Sequence, residues 1–252
     1  MVGAKPCGGI GTRAVVGVHV LILGIESATP QVGCAIGGHE GVLASCHSSR
    51  GRRHAEMLTP QIEFTCGQAR VSLSEISVVA VDVGPGLFTG LRVGLSAAMA
   101  TAYALGAPMI GVSSLDLLAF PIRHSPRLIV AAIDARRGEV FHAFYRQVPG
   151  GVQRVSEAAI SAPAELSSEL LARGEDCVLV GDGAMRYADQ FAGLRGVEAA
   201  EQGLAHPGAD SLVQLAHAKA LREEFVSLSE LRPIYLRNPD ASEPKWNSWD
   251  RP

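Results

Sequence analysis

Short apolar runs separated by glycine dominate the early part of the chain. From Val18 to about Cys46 this pattern predicts three strands joined by tight turns, with glycine at positions 33, 37, 38 and 41. Because turns this short join neighbouring strands, we expect an antiparallel meander.

Helical spacing replaces this pattern at His54. The predicted helix tolerates Pro60 because that residue lies near its start, and Gly67 is expected to end it. Residues 72–75 then have capping-box spacing and predict a short helical turn. One face of this predicted helix carries Met57, Leu58, Ile62 and either Thr65 or Cys66.

A strand, a glycine turn and a helix start follow one another between residues 79 and 94. Residues 79–83 suit a buried strand, and the Gly-Pro-Gly sequence at 84–86 forces a tight turn. Thr89 is predicted to cap a helix over 90–105. Such an arrangement points several backbone N–H groups at one spot, which suits an anion such as phosphate. A tight turn without any ligand is the alternative.

Strands and helices continue to alternate after this helix, which implies a mixed sheet with helices packed on it. Residues 121–126 resemble a linker. The remaining predicted elements are a strand at 109–112, a helix capped by Ser113 or Ser114, a hairpin of 128–134 with 139–145, a strand at 177–180, and a helix capped by Asp210 or Ser211 that ends near Glu224.

Composition and charge narrow the class of protein. The 252 residues are 47% hydrophobic and 19% charged, which is typical of a globular protein with a substantial core. The formal net charge is −3, whereas a protein that binds nucleic acid alone usually carries a basic surplus. We therefore expect any RNA contact to be shared with a partner. The five cysteines are scattered without a CxxC pair, which favours reduced cytosolic thiols over disulfides or a zinc site.

The two ends of the chain need separate interpretation. An apolar run over residues 14–25 superficially resembles a signal peptide, but it leads into Glu26 without a convincing cleavage site. We interpret it as the first strand of a cytoplasmic protein, and no run suits a membrane span. Residues 1–17 are predicted to be a flexible extension and 238–252 a mobile tail. The alternative for that tail is that its two tryptophans, Trp246 and Trp249, anchor on a partner.

The residues of the glycine segment are more specific than its geometry. The stretch GPGLFTGLRVG from Gly84 to Gly94 resembles the signature of the TsaB family of tRNA threonylcarbamoyladenosine biosynthesis proteins, which are related to the catalytic subunit TsaD. The likeness continues in order over roughly residues 20–237. The other matching blocks are 22–28, 53–62, 111–116, 133–140 and 233–237.

This resemblance implies an α/β fold of the two-lobed actin-like (ribonuclease H-like) ATPase type, with mixed sheets flanked by helices. We accordingly expect an N-terminal lobe over 18–122 and a C-terminal lobe over 123–237. The sequence contains no internal repeat strong enough to prove a duplication.

Active members of that superfamily hold magnesium-nucleotide between the lobes, with acidic residues near two phosphate turns. A carboxylate at a strand end suits a hydrated Mg²⁺. Two departures predict that the site here is vestigial and that no cofactor is required, with ATP and magnesium as the alternative. Glu26 stands where most TsaB relatives have aspartate, and Asp134 is followed by Ala-Arg-Arg where a working turn has glycine. The cofactor-binding positions that the resemblance implies are Gly84, Gly86, Thr89, Gly90, Glu26 and Asp134, with Asp82 and Asp182 as further acidic candidates.

Two other kinds of catalytic site are disfavoured by spacing. TsaD-like proteins carry a metal-binding histidine pair on one helix, whereas Met57 and Leu58 stand one turn after His54. No Gly-x-Ser-x-Gly elbow is present, and helix capping already explains Ser113 and Ser114. We therefore predict no catalytic residue and no metal ligand.

Without a catalytic site, we expect the protein to function through a surface that binds a partner. Glycine inside the helix at 90–105 costs roughly 1 kcal/mol relative to alanine, so its stripe of small residues indicates close approach of the sheet or of a partner. In the TsaB family the first two long helices pair with TsaD or with a second copy. The interface positions predicted from that resemblance are His54, Met57, Leu58, Gln61, Leu91 and Leu95. Beside them, Arg50, Arg52 and Arg53 form a solvated turn or, alternatively, a contact to tRNA phosphates.

The function that the resemblance implies is that of a non-catalytic scaffold subunit for threonylcarbamoylation of the tRNA adenosine adjacent to the anticodon. The chain would bind and activate TsaD as a heterodimer, meet TsaE and tRNA only through the complex, and form a homodimer as an alternative. A stand-alone ATPase or phosphotransferase of the same superfamily is the rival from another class. The missing histidine pair disfavours a metal-dependent peptidase.

Overall fold

The computed structural model describes residues 20–49 and 53–237. The predicted extension over 1–17, the predicted tail with Trp246 and Trp249, and Arg50 and Arg52 of the basic cluster lie outside the described residues. The strands are β1 (Leu21–Glu26), β2 (Val32–Gly38), β3 (Gly41–Ser48), β4 (Val78–Asp82), β5 (Met109–Val112), β6 (Leu128–Arg136), β7 (Glu139–Val148), β8 (Gly151–Arg154), β9 (Ala159–Ser161), β10 (Cys177–Val180) and β11 (Val197–Ala199). The helices are α1 (His54–Ala69), α2 (Phe88–Leu105), α3 (Ser114–Ala119), α4 (Pro163–Arg173), α5 (Asp182–Arg186), α6 (Ala188–Phe191) and α7 (Ala209–Leu221), with 3-10 turns at Leu73–Glu75, Phe120–Ile122 and Gln202–Leu204.

The first sheet has the strand order β3-β2-β1-β4-β5. Strands β1, β2 and β3 are antiparallel neighbours, which confirms the predicted meander, and β4 and β5 extend the sheet in parallel with β1. Strands β1 and β4 are buried along nearly their whole length, because helices cover both faces of the sheet.

The second sheet repeats this topology, although no repeat is evident in the sequence. Its order is β11-β10-β6-β7-β8, in which β6, β7 and β8 form an antiparallel meander and β10 and β11 run parallel with β6. Strand β9 pairs separately with β7. The end of β6 therefore corresponds to the end of β1, and the end of β10 to the end of β4.

Helix α7 returns to the first sheet. Its Leu212, Val213 and Ala216 are buried in one cluster with Ile22 and Val78, on the face opposite α1 and α2. By sequence α7 lies within the predicted C-terminal lobe of 123–237, but it packs on the first lobe. The apolar face of α7 completes the core of the first lobe, a long-range pairing that local sequence does not signal.

Several helix ends differ from the predictions. Helix α1 passes through Gly67 and ends at Ala69, where Arg70 adopts a left-handed conformation and its N–H donates to the Gly67 carbonyl. Helix α2 begins at Phe88, so Thr89 lies inside the first turn and is not the cap. Helix α7 begins after Gly208, with Asp210 and Ser211 already helical.

Two helix-end predictions and the second predicted hairpin are confirmed. Ser113 Oγ caps α3 by accepting from the Leu115 N–H at 3.3 Å, and the Ser72 N–H donates to Glu75 Oε2 at 2.7 Å. The 128–145 hairpin forms with β6 and β7. No helix in the described ranges has both the length and the apolar character to cross a membrane. The described cysteines, at positions 34, 46, 66 and 177, are free thiols.

Candidate functional site at the interlobe cleft

Each lobe contributes two carboxylates from equivalent strand ends. Glu26 ends β1 and Asp82 ends β4, whereas Asp134 lies near the end of β6 and Asp182 directly follows β10 and Gly181. In parallel α/β sheets, ligand sites lie beyond the carboxyl ends of the strands. The charges of Asp82 and Asp182 both act to raise the pKa of Glu26, so acidic groups of the two lobes lie near one another.

Glu26 is completely buried at the end of β1. Its Oε1 accepts a hydrogen bond from the Ala28 N–H at 2.8 Å, and its Oε2 has no hydrogen-bond partner among the described residues. Burial, and next the charge of Asp82, raise the pKa of Glu26 well above its usual range. The protein therefore favours the neutral form of this carboxyl group.

Asp82 is also buried, and Ser114 holds it in place. Its Oδ1 accepts from Ser114 Oγ at 2.6 Å and from the Gly84 N–H at 2.7 Å. Its Oδ2 is unpartnered within the described part of the chain. Burial raises the pKa of Asp82 to about 7, although both hydrogen bonds act in the lowering direction. The sequence explained Ser114 only as a possible helix cap, and its contact with Asp82 depends on the alignment of β4 with β5.

The carboxylate of Asp134 is occupied by groups of the same chain. Oδ2 pairs with Arg136 Nη1 at 2.8 Å and with Arg186 Nε at 3.4 Å. Oδ1 accepts from the Arg136 N–H at 2.9 Å and from the Tyr187 hydroxyl at 3.3 Å. Arg136 and Arg137 have φ angles of 64° and 58°, and this left-handed turn brings the Arg136 side chain back onto Asp134. Sequence reasoning missed Arg186, which ends the distant helix α5, and Tyr187, which joins α5 to α6.

Asp182 connects the end of β10 to Asp134. Its Oδ1 accepts a hydrogen bond from the Asp134 N–H at 2.9 Å. Burial raises the pKa of Asp182 to about 6. The two lobes thus differ, because the oxygens of Asp134 are bonded within the protein whereas Glu26 and Asp82 each keep one unpartnered buried oxygen.

The turn after β1 fills the space at the glycine segment. A Cβ on Gly86 would lie 2.2 Å from the Ala28 carbonyl oxygen, and one on Gly90 would lie 2.2 Å from that of Ser27. The Leu87 N–H donates to the Ala28 carbonyl at 2.7 Å. Of the two explanations for the small residues of α2, close internal approach is the one that this geometry supports.

A cavity of about 490 Å³ lies between the lobes. It is bounded by the start of α2, the turn between β6 and β7, and residues 234–237. Gly86 and Asp134 line it, but the other predicted cofactor positions do not. Glu26 and Gly90 are buried elsewhere, Gly84 packs against Leu91 and Ile234, and Thr89 lies on the outer surface.

The predicted partner-interface residues are mostly buried within the protein. Most of these side chains pack under the surface of α1 and α2. His54 Nε2, for example, lies 2.8 Å from the Thr29 carbonyl oxygen. The buried residues are His54, Leu58, Gln61, Leu91 and Leu95, whereas Met57 is half-buried.

A groove of about 520 Å³ separates the exposed sides of α1 and α2. Small side chains predominate in it, together with an arginine and a phenylalanine at one end. Of the predicted interface positions, only Leu58 reaches the groove. The lining residues are Ala55, Leu58, Thr59, Phe88, Thr89, Arg92, Val93, Ser96 and Ala97.

Metal-ligand geometry is absent from the described part of the chain. No three His, Cys, Asp or Glu side chains there are arranged to hold an ion. In the cleft, Arg136 and Arg186 pair with Asp134, and residues of the chain itself contact the glycine turn.

The repeated lobes and the acidic strand ends define a two-lobed α/β protein of the actin-like type. The family model described as TsaD, tRNA N6-adenosine threonylcarbamoyltransferase, matches residues 42–245. The chain belongs to that family and, within it, to the group of TsaB proteins, as the resemblance predicted.

Three relatives illustrate this similarity. The tRNA threonylcarbamoyladenosine biosynthesis protein TsaB of Escherichia coli is 28% identical, over 86% of this chain and 94% of that protein. An uncharacterized protein of Mycobacterium tuberculosis is 33% identical, over 87% of this chain and 93% of its own length. The solved structure of YeaZ from Pseudomonas aeruginosa has a TM-score of 0.75 and 26% identity, and covers 86% of this chain and all of that one.

Proposed function

We propose that this chain is a non-catalytic scaffold subunit in the threonylcarbamoylation of the tRNA adenosine adjacent to the anticodon. It binds TsaD and favours the active state of the assembly. Its contribution to tRNA modification is therefore the free energy of this binding, and it carries out no bond-making step of its own. TsaE and tRNA meet it through that assembly. The names of its TsaB relatives and the TsaD family match support the pathway.

The observation that carries the non-catalytic part is the state of Asp134. In a magnesium-nucleotide site this carboxylate would face hydrated metal, but here Arg136 and Arg186 neutralise it. The contact of Ala28 with Gly86 supports the same proposal, because it occupies the position where a phosphate would approach the turn. No cofactor is therefore required in this proposal.

The observation that supports a partner surface is the groove between α1 and α2. Ala55, Ser96 and Ala97 keep it shallow, which permits close packing of another helix. TsaD is the proposed occupant, and a second copy of this chain is the alternative.

The test combines complex formation with tRNA modification. Purified chain and TsaD are mixed, their association is measured by size-exclusion chromatography, and threonylcarbamoyladenosine is quantified with TsaE, ATP and the threonylcarbamoyl donor present. Ser96→Arg places a large charged side chain in the groove and is expected to weaken association at least tenfold, about 1.4 kcal/mol. Ala104→Arg is the matched control, because Ala104 is exposed on the same helix outside the groove.

Two results contradict the proposal. One is an undiminished yield of threonylcarbamoyladenosine when this chain is omitted, and the other is equal association of TsaD with both variants. Magnesium-dependent nucleotide turnover by the isolated chain would favour the rival, a stand-alone ATPase or phosphotransferase.

A further inference from the structure

Two exposed aromatic rings and an arginine stand at the edge of the interlobe cavity. Phe88 is 46% exposed and Tyr235 is 43% exposed, and their ring centroids are 5.6 Å apart. The guanidinium carbon of Arg92 lies 3.8 Å from the centroid of Phe88, and Arg92 Nε donates to the Tyr235 hydroxyl at 3.4 Å. These three residues form the aromatic edge of the cavity.

The cavity behind the aromatic edge combines apolar walls with arginine side chains. Arg136, Arg137 and Arg237 line it together with Asp134. Arg136 pairs with Asp134, and Arg237 pairs with Glu139. Leu87, Phe141, Ile234 and Leu236 supply the apolar part of the lining.

Tyr235 is held in position before any ligand binds. On one side of it, the Ile234 N–H donates to the Val83 carbonyl of the first lobe at 2.7 Å. On the other side, Arg237 Nη1 donates to the Ala135 carbonyl of the second lobe at 3.0 Å and pairs with Glu139. A backbone fixed at both ends lowers the entropic cost of ordering the ring on binding.

We propose that the aromatic edge and its cavity bind an unpaired nucleotide of a single-stranded RNA segment. Exposed aromatic rings stack on bases of any sequence, and neighbouring arginines bind the backbone phosphates. A cavity of about 490 Å³ suits one nucleotide and excludes a duplex. The proposal rests on the proposed function in that the RNA is the tRNA that TsaD modifies, with this chain contacting its unpaired loop.

The test uses the complex of this chain with TsaD and a fluorescently labelled anticodon stem-loop, with anisotropy as the readout. Tyr235→Ala is expected to weaken RNA binding at least about fivefold, whereas Tyr235→Trp retains a stacking surface and the affinity. Arg137→Ala is expected to weaken binding and to lower the slope of log affinity against log salt by about 0.7. Tyr235 and Arg137 lie outside the α1–α2 groove, so TsaD association should be unchanged for all three variants.

The outcomes separate this proposal from the proposed function. Unchanged RNA affinity of Tyr235→Ala and Arg137→Ala, in a complex that forms normally, would overturn the RNA site alone. Adenosine 5′-monophosphate that competes as well as the labelled stem-loop would overturn it too, because the ligand would then be a free nucleotide. If the wild-type chain does not bind TsaD, the proposed function fails. In that case the isolated chain is titrated with the same RNA. Binding that is lost in Tyr235→Ala supports the RNA site, and absence of binding contradicts it.

Discussion

Ser27 and Gly90 are separated by 63 positions in the chain, yet the Ser27 hydroxyl donates to the Gly90 carbonyl at 2.8 Å. The Ser27 carbonyl oxygen in turn approaches the position where a Cβ on Gly90 would stand, at 2.2 Å. This contact fixes the turn after β1 against the first turns of α2. The glycine segment thus allows the turn after β1 to pack closely against the start of α2 within the first lobe.

Gly90→Ala should destabilise the protein by about 1–3 kcal/mol, because the added methyl group collides with backbone that has little room to move. Gly67→Ala is the matched control, since Gly67 is also helical but a Cβ there meets nothing within 4 Å. The control should stabilise the protein by up to about 1 kcal/mol. Urea unfolding measures both changes, and a shift of the same sign in the two variants would contradict this role for Gly90.

Buried acids should make the folded state less stable as the pH rises. The pKa of Asp82 is about 7 and that of Glu26 is raised well above its usual range, whereas both have ordinary values near 4 in the unfolded chain. The folded protein therefore binds more protons than the unfolded chain between about pH 4 and pH 7, and the free energy of unfolding falls over that window.

Asp82→Asn should remove part of this pH dependence, because its side-chain oxygen still accepts from Ser114 and Gly84 but cannot ionise. The free energy of unfolding of Asp82→Asn minus that of wild type should be larger at about pH 8 than at about pH 5. The increase should be on the order of 2 kcal/mol. The exposed Glu40→Gln variant serves as the control. Parallel pH profiles for Asp82→Asn and wild type would refute the assignment.

Arg237 should hold the C-terminal segment against the second lobe. Arg237→Ala removes the bond to the Ala135 carbonyl and the pair with Glu139, and should cost about 1 kcal/mol. Hydrogen exchange in the turn between β6 and β7 should become faster. Arg232→Ala, an exposed site in the same segment, should change neither quantity, and equal effects of the two variants would argue against a specific role of Arg237.

The order of elements in the first lobe was predictable because each signal was local. Glycine spacing marked the meander, the capping box marked the turn at Leu73–Glu75, and Ser113 marked the start of α3. Between β7 and β10 the signals were weaker. Strands β8 and β9 are short and half-buried, and α4 buries only Pro163, Leu166 and Leu170.

The site was predictable in part. Strand ends identified the carboxylates, but their partners Ser114, Arg186 and Tyr187 come together only through tertiary packing. The orientation of α2 was also hidden. Gly90, Leu91, Gly94 and Leu95 all face inward, since the glycine and leucine stripes lie on adjacent parts of one buried surface.

The most direct test of the central claim compares cleft variants with the groove variant in reconstituted tRNA modification. Glu26→Gln and Asp134→Asn replace carboxyl groups that a magnesium-nucleotide site would need, and both should support threonylcarbamoyladenosine formation within about twofold of wild type. Ser96→Arg should lose at least about 90% of that yield in proportion to its weakened binding of TsaD. The opposite pattern, in which the cleft variants bind TsaD but are inactive and Ser96→Arg is fully active, would contradict the claim that this protein acts by binding TsaD.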